Sequence, residues 1–512
     1  MMIKRCNLLD EPWLPVRMDS GEIQELGLLT LFEQASHVVA LAETAPPSLM
    51  AQYRLLLAIT HRALSMKTSS WGQQDLRIWF TQGLPSEAIT SYLEKWRDRF
   101  WLFHPEYPFM QVAALATVTE TCDRFKPWTQ IDLASVCGNA PVVFNHAWDS
   151  APGSLSPLQA IRTLLGFLQC TPGGLVKVFR DADKAGPLAD TAAVLPQGDT
   201  LAQTLILSLH PSTPDGHEDL PSWERPALTI ANLKAAAVLA SGPNDRYTRQ
   251  TRAVLFQCEE EGNIRWLRFA AGQGLEEEPH APDPMANYRA GSLRPVRLTF
   301  SEGRALWRDL PALLPDGGGN QSIPAAILDN ATRLNKSLGK KQLRLLVAGL
   351  ASDQAKLLRW RVENVSLPLA LLDHPQVTRE ARQMLEMAET LFSTLKGAAV
   401  QLIADTLPDS QQKDTRSRAR ALFDAGPVAP CFFARAERVL MTTLQQLEHA
   451  PDVAERQWQR ELKGAALAAW DTLLTSQGGG ARLWRANAKV QPRVWSVIRK
   501  QLTALNETGE VQ

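Results

Sequence analysis

Residues 343–365, LRLLVAGLASDQAKLLRWRVENV, carry the choice on which the rest of the reading turns. Leu343 to Leu350 and Lys356 to Val365 are rich in leucine, valine and tryptophan, and both read as strands. Between them Ala351-Ser352-Asp353-Gln354 is short and polar, as a turn would be, so a β-hairpin fits, with Gln354 near its tip. An amphipathic helix through the same residues fits as well, and periodicity leaves the two open. The surroundings are basic. From Arg333 to Arg361 the chain holds Arg333, Lys336, Lys340, Lys341, Arg344, Lys356, Arg359 and Arg361 against one acid, Asp353, and includes Trp360. Such a run suits a surface that tracks phosphates. An amide at the tip of a basic hairpin can hydrogen-bond base acceptors in a minor groove and part the strands.

Beyond Pro368 the chain reads almost wholly as helix. Met384, Ala388, Leu391, Leu395, Ala398 and Leu402 share one face, and Phe433, Ala436, Leu440, Leu444 and Leu447 another; spacings of three and four mark core-facing stripes. Val453 to Ser476 and Leu483 to Leu505 follow, parted by Gly478-Gly479-Gly480. Four long amphipathic helices with short connections predict an up-and-down bundle over 367–512. Before the hairpin, short strand-like runs, turns and helical stretches alternate. Ala51 to Met66 is apolar at helical spacing, while Leu201 to Leu209 suits a buried strand or a helical turn. Loops are expected at Thr171-Pro172-Gly173-Gly174, from Pro211 to Pro226, from Glu276 through Pro284, and at Asp316-Gly317-Gly318-Gly319. The fold class is therefore α+β, a large mixed N-terminal domain over 1–366 followed by a C-terminal four-helix bundle.

A chain of 512 residues, 45% hydrophobic and 21% charged, has ample material for two packed cores without disulfide or metal staples. The six cysteines are far apart, with no C-x-x-C pair and no histidine at zinc-ligand spacing. No signal-peptide core and no apolar run of membrane-spanning length occurs, so a cytoplasmic protein with reduced thiols is expected, without membrane association. No phosphate-cradling G-x-x-x-x-G-K-[ST] loop, G-x-S-x-G elbow or H-E-x-x-H helix is present. His217-Glu218-Asp219 lies among prolines and has no partners elsewhere that would make it a metal or catalytic cluster. His37, His61, His104, His146, His374 and His449 are scattered. No catalytic residue, metal or cofactor is expected. A formal net charge of zero argues mildly against a self-sufficient nucleic-acid binder, so local charge must carry that role.

Several segments, in order, resemble the CasA family, the large subunit of the type I-E CRISPR surveillance complex Cascade. They are Asn7 to Val16 (NLLDEPWLPV), His104 to Gln111 (HPEYPFMQ), Phe144-Asn145-His146, Trp223-Glu224-Arg225-Pro226, Arg246 to Arg252 (RYTRQTR), Asp283-Pro284-Met285 and Tyr288-Arg289. Trp13, Phe109 and Trp223 within them read as core aromatics. The resemblance implies a division of labour. Guide-RNA pairing reads the target, while this subunit reads a short flanking motif, the PAM, on duplex DNA and starts its opening. It also implies backbone and small subunits, guide RNA, double-stranded target DNA and a helicase-nuclease as partners.

Carried over residue by residue, the family's glutamine wedge matches Gln354, flanked by Asp353 and Ala355. Its glycine loop matches Gly173-Gly174, and the segment docking on the guide-RNA end and backbone subunits matches Phe144 and Asn145. The basic residues expected around the DNA are Lys340, Lys341, Lys356, Arg359 and Arg361. The family's minor-groove lysine has no counterpart between Arg268 and Asp283, so Arg268 and Arg289 are the candidates to replace it. Asp353 departs from the pattern, since an acid near phosphates is repulsive, and a role in capping the turn would explain it. The basic last helix, with Arg482, Arg485, Lys489, Arg493, Arg499 and Lys500 beside Trp484 and Trp495, is by resemblance a contact for small subunits and displaced strand, or else a solvated face.

Overall fold

The computed structural model describes the chain apart from residues 1–5, 69, 135–148, 175, 182, 212–217, 278–281, 292–294, 316–321, 354–355, 409–412 and 503–512, and apart from the side chains of 352, 353, 356–358 and 413. Two compact units emerge. The first comprises 1–302 and 323–366, the second 303–322 and 367–512.

The first unit is built around one helix, Pro46–Lys67. Its residues from Pro47 to His61 are buried on every side, as expected of a helix apolar nearly all round. Helices Pro157–Cys170, Ser86–Lys95 and Pro243–Thr248 pack against it. The crossing with Pro157–Cys170 is close because Gly166 has no side chain; a Cβ there would sit 2.8 Å from the Ser48 amide nitrogen. A three-stranded antiparallel sheet has Leu14–Met18 between Ile23–Leu26 and Val38–Leu41, and is tied to Pro46–Lys67 where the Leu41 amide donates to the Tyr53 hydroxyl at 3.3 Å. Leu201–Leu207 is a helix, capped by the Thr200 hydroxyl, which settles the stretch that periodicity left open.

Three aromatic residues of the segments that carry the family resemblance lie in this core. Trp13 is fully buried with its indole N–H on the Leu8 carbonyl, and Trp223 donates to the Tyr92 hydroxyl at 2.7 Å. Phe109 stacks on Phe100, as a core role predicts. The charges are interior too. Arg54, wholly enclosed, bonds Asp283 and Gln169, and Arg249 bonds Asp245. Burial opposes ionisation of Asp283, yet Arg54 and Arg246 together outweigh it and hold its carboxyl below the usual range.

The second unit contains the four expected long helices, Pro375–Thr406, Val428–Gln446, Pro451–Ser476 and Ala481–Gln501. Pro375–Thr406 packs on Ala481–Gln501 and Pro451–Ser476, and the last of these on Val428–Gln446. Two features depart from expectation. A further helix, Lys413–Asp424, lies against Pro375–Thr406; among its described side chains only Thr415, Ala419 and Phe423 are buried, a stripe too thin to stand out among its arginines. Gly303–Ser322, grouped by sequence with the first domain, belongs here instead. Arg308 explains why: it forms a forked pair with Glu389 at 2.7 and 2.9 Å and lies 3.4 Å over the Phe433 ring. Trp307 beside it meets Phe433 and Trp458 edge-on.

Among the described residues no helix is long and apolar enough to cross a membrane.

Candidate nucleic-acid interface

The hairpin forms. Strands Gln342–Asp353 and Lys356–Pro368 are neighbours in one sheet, and Ala193–Gln197 lies against the outer edge of the first, from Arg344 opposite Gln197 to Ala348 opposite Ala193. The helical alternative fails because Gln342–Asp353 is paired on both edges, lying between Lys356–Pro368 and Ala193–Gln197, with both of its faces covered from Leu345 to Leu350. Gly349 permits the third strand to approach, since a Cβ there would lie 2.3 Å from the Thr191 carbonyl oxygen. The hairpin is pinned along its length by Trp360, whose indole donates to the Leu133 carbonyl at 2.6 Å, and by Arg361, which donates to the Ser301 carbonyl at 3.2 Å. Gln354 and Ala355, the connection between the strands, lie outside the described residues, as do the side chains of Asp353 and Lys356.

The basic run is less free than its sequence suggests. Arg344 pairs with Asp199 at 2.6 Å, and Lys340 lies 3.5 Å from the same carboxylate and over the Phe80 ring. Arg361 pairs with Glu363 and stacks on Phe300. Asp199, from another segment, and Glu363, two residues along the same strand as Arg361, thus answer three of the eight basic residues. Arg359, 69% exposed and 3.7 Å from Glu302, and the exposed Lys341 are more open to a phosphate.

The glycine loop is a built feature. Gly174 has φ +80°, which favours glycine, and no atom lies within 4 Å of the position its Cβ would take, so its backbone faces open space. Gly173 is closer in, 3.1 Å from the Asp183 carbonyl oxygen by the same measure. Behind the loop Arg252, fully enclosed, donates to the carbonyls of Pro172 and Lys184 and pairs with Asp183 at 3.0 Å. Burial raises the Asp183 carboxyl and lowers the Arg252 guanidinium from their ordinary values, while the charge of each partner opposes the shift. The chain from Asp183 to Gln197 therefore backs the loop at one end and joins the hairpin's sheet at the other.

The proposed lysine substitutes differ in kind. Arg268 is engaged, donating to the Cys122 carbonyl and lying over Phe125, whereas Arg289 is exposed on the short strand Tyr288–Arg289. Sequence reasoning passed over Lys177, exposed and three residues beyond Gly174; its proximity to the loop was the available signal. Phe144 and Asn145 lie outside the described residues. In the second unit all six basic residues of the last helix are exposed, as is Trp484, while Trp495 packs on Trp470. Among the described residues no group of three or more metal-ligating side chains is found.

The same order of elements occurs in known proteins. The family model described as CRISPR-associated protein Cse1 matches residues 7–469. The chain belongs to the Cse1, or CasA, family. The CasA/Cse1 protein of Thermus thermophilus is 33% identical over 513 aligned residues, 95% of this chain and 96% of that one. The crystal structure of CasA from Thermus thermophilus superposes with a TM-score of 0.83 at 30% identity, over 97% of this chain and 100% of the other. Thermobifida fusca Cse1 shares the fold, with a TM-score of 0.77 at 24% identity over 98% of each.

Proposed function

We propose that this Cse1-family chain is the non-catalytic large subunit of a type I-E CRISPR surveillance complex. In this reading it recognises the PAM in double-stranded target DNA, nucleates strand separation and R-loop formation, and helps recruit a helicase-nuclease. The carrying observation is the hairpin, whose strands stop at Asp353 and resume at Lys356, so that Gln354 and Ala355 alone join them. An amide at that connection, on a stiff two-stranded arm, suits insertion between base pairs. The open backbone at Gly174 suits close approach to a groove. Support for an assembled role comes from a structure described as a CRISPR RNA-guided surveillance complex, one chain of which shares the fold with a TM-score of 0.74 at 22% identity. Backbone and small subunits, with guide RNA, would then supply affinity that a chain of zero net charge lacks. Phe144 and Asn145 are proposed to dock on that assembly, which would operate in the cytoplasm.

The test is a gel-shift titration at fixed salt. Duplexes bearing every flanking trinucleotide are mixed with the guide-RNA complex, with and without this chain. Tight binding and opening of some flanks only, and only with the chain present, is the expected result. Unchanged affinity and flank preference would leave an architectural subunit, and metal-dependent cleavage by the isolated chain would revive an enzymatic one.

A further inference from the structure

The hairpin strand that carries Trp360 also walls a cavity of about 420 Å³ in the first unit, with Trp128 as a second aromatic wall. Both indole N–H groups are already committed, Trp128 to the Gly153 carbonyl at 2.8 Å and Trp360 to the Leu133 carbonyl at 2.6 Å. What they offer the cavity is ring surface. The lining charges are equally spoken for. Arg162 is held by Glu25 and the Trp13 carbonyl and lies 3.4 Å from Glu43, whose two oxygens accept from Ala45 and Gln52. An anion would find no uncommitted cation here, and the Glu43 carboxylate would repel it. Thr44 and Gln159, both on the lining, supply a hydroxyl and an amide NH2, the Gln159 Oε1 already accepting from the Ser156 hydroxyl at 3.1 Å. The occupant that fits is a planar, uncharged, hydrogen-bonding aromatic.

Position narrows it further. Trp360 lies four residues beyond Lys356, roughly 13 Å along the strand from the hairpin connection. That is about four base-pair rises, within reach of the first nucleotides released beside a wedge. We propose that the Trp128–Trp360 cavity binds an unstacked DNA base released when the duplex opens, holding it by stacking while the amide of Gln159 reads its edge. This rests on the strand-opening role proposed above and adds a destination for the freed base. Capturing the base offsets the cost of unstacking and so biases opening forward.

The test uses the complete guide-RNA complex with target duplexes carrying one 5-iododeoxyuridine at successive positions beyond the flank, in either strand. After irradiation, crosslinks are expected at one position, to the peptide containing Trp128 or Trp360. Trp128→Leu and Trp360→Leu should slow opening roughly 5- to 150-fold, the effect of one lost base–aromatic stack. Trp→Phe variants, which keep the ring and lose the indole N–H, should retain most of the rate and so separate stacking from folding. Wild-type opening rates in both Leu variants, or crosslinks that avoid both tryptophans, would overturn the proposal while leaving the wedge reading intact. Crosslinking to an iodouridine-labelled guide RNA, or protection of the cavity by a partner subunit before DNA is added, would overturn it in favour of those occupants. If the wild-type complex opens no duplex, the wedge reading fails and takes this one with it.

Discussion

At the scale of single residues, chemistry depends on which partners the fold assigns. Gln354 is the residue on which the proposed function most directly depends. Gln354→Ala is expected to weaken target binding and opening by about 5- to 100-fold, the value of lost minor-groove hydrogen bonds, with assembly onto the guide-RNA complex unchanged by size-exclusion chromatography. A second site, invisible to motif searches, is the stack of His61 on His210, ring centroids 3.7 Å apart. His61 contacts the Pro211 carbonyl through Nε2 and the Asn244 amide through Nδ1, an arrangement that suits the neutral ring with its proton on Nε2. Burial lowers its pKa to about 4, and burial followed by the charge of its neighbour lowers that of His210. Between pH 6.5 and about 4 the unfolded chain takes up a proton that folded His61 refuses, so its contribution to stability is complete above pH 6.5 and is lost as pH falls. The thermal midpoint should therefore drop below pH 6.5, and His210→Phe should flatten that limb; an unaltered acid limb in the variant would sink the assignment.

At the scale of elements, the hairpin illustrates how far a charge run can mislead. Arg344 and Arg361 were legible as bases, but Asp199, which faces Arg344 from 145 positions away, was not. Lys341→Ala and Arg359→Ala are accordingly expected each to shallow the salt dependence of DNA binding by about one unit of log–log slope, whereas Arg344→Ala should change it less. Equal slopes for all three would mean that the local acids do not compete with phosphate. The strand interface is less forgiving. Gly349→Ala brings a Cβ against the Thr191 carbonyl, and the hairpin's sheet should lose roughly 1–3 kcal/mol, measured by denaturant unfolding. The glycine reads as an ordinary small residue in sequence; only the third strand reveals what it is for.

At the scale of the whole molecule, the division into two units is not a single cut. Gly303–Ser322 leaves the first unit's part of the sequence to join the helices, and Trp307, nearly enclosed between Phe433 and Trp458, is its anchor. Trp307→Ala in the full chain is expected to cost about 3–5 kcal/mol, with the loss appearing in the transition that reports the helical unit. A Trp307→Ala chain that melts like the wild type would show that the segment is merely draped over the helices.

What the sequence by itself determined is what local periodicity and composition can express: the α+β class, the four long helices, the aromatic core positions, the change of architecture near Pro368, and the family. The hairpin was one of two answers, because a leucine-rich run of strand length satisfies both periods until a neighbouring strand demands one. Only the tertiary structure decided that question, and with it the helix Lys413–Asp424, the strap Gly303–Ser322, the pairing of Lys340 and Arg344 with Asp199 and the cavity between Trp128 and Trp360. The physical reason is common to all of these. Each depends on groups distant in sequence meeting in space, and neither charge pairing nor burial leaves a local trace when its partner lies far along the chain.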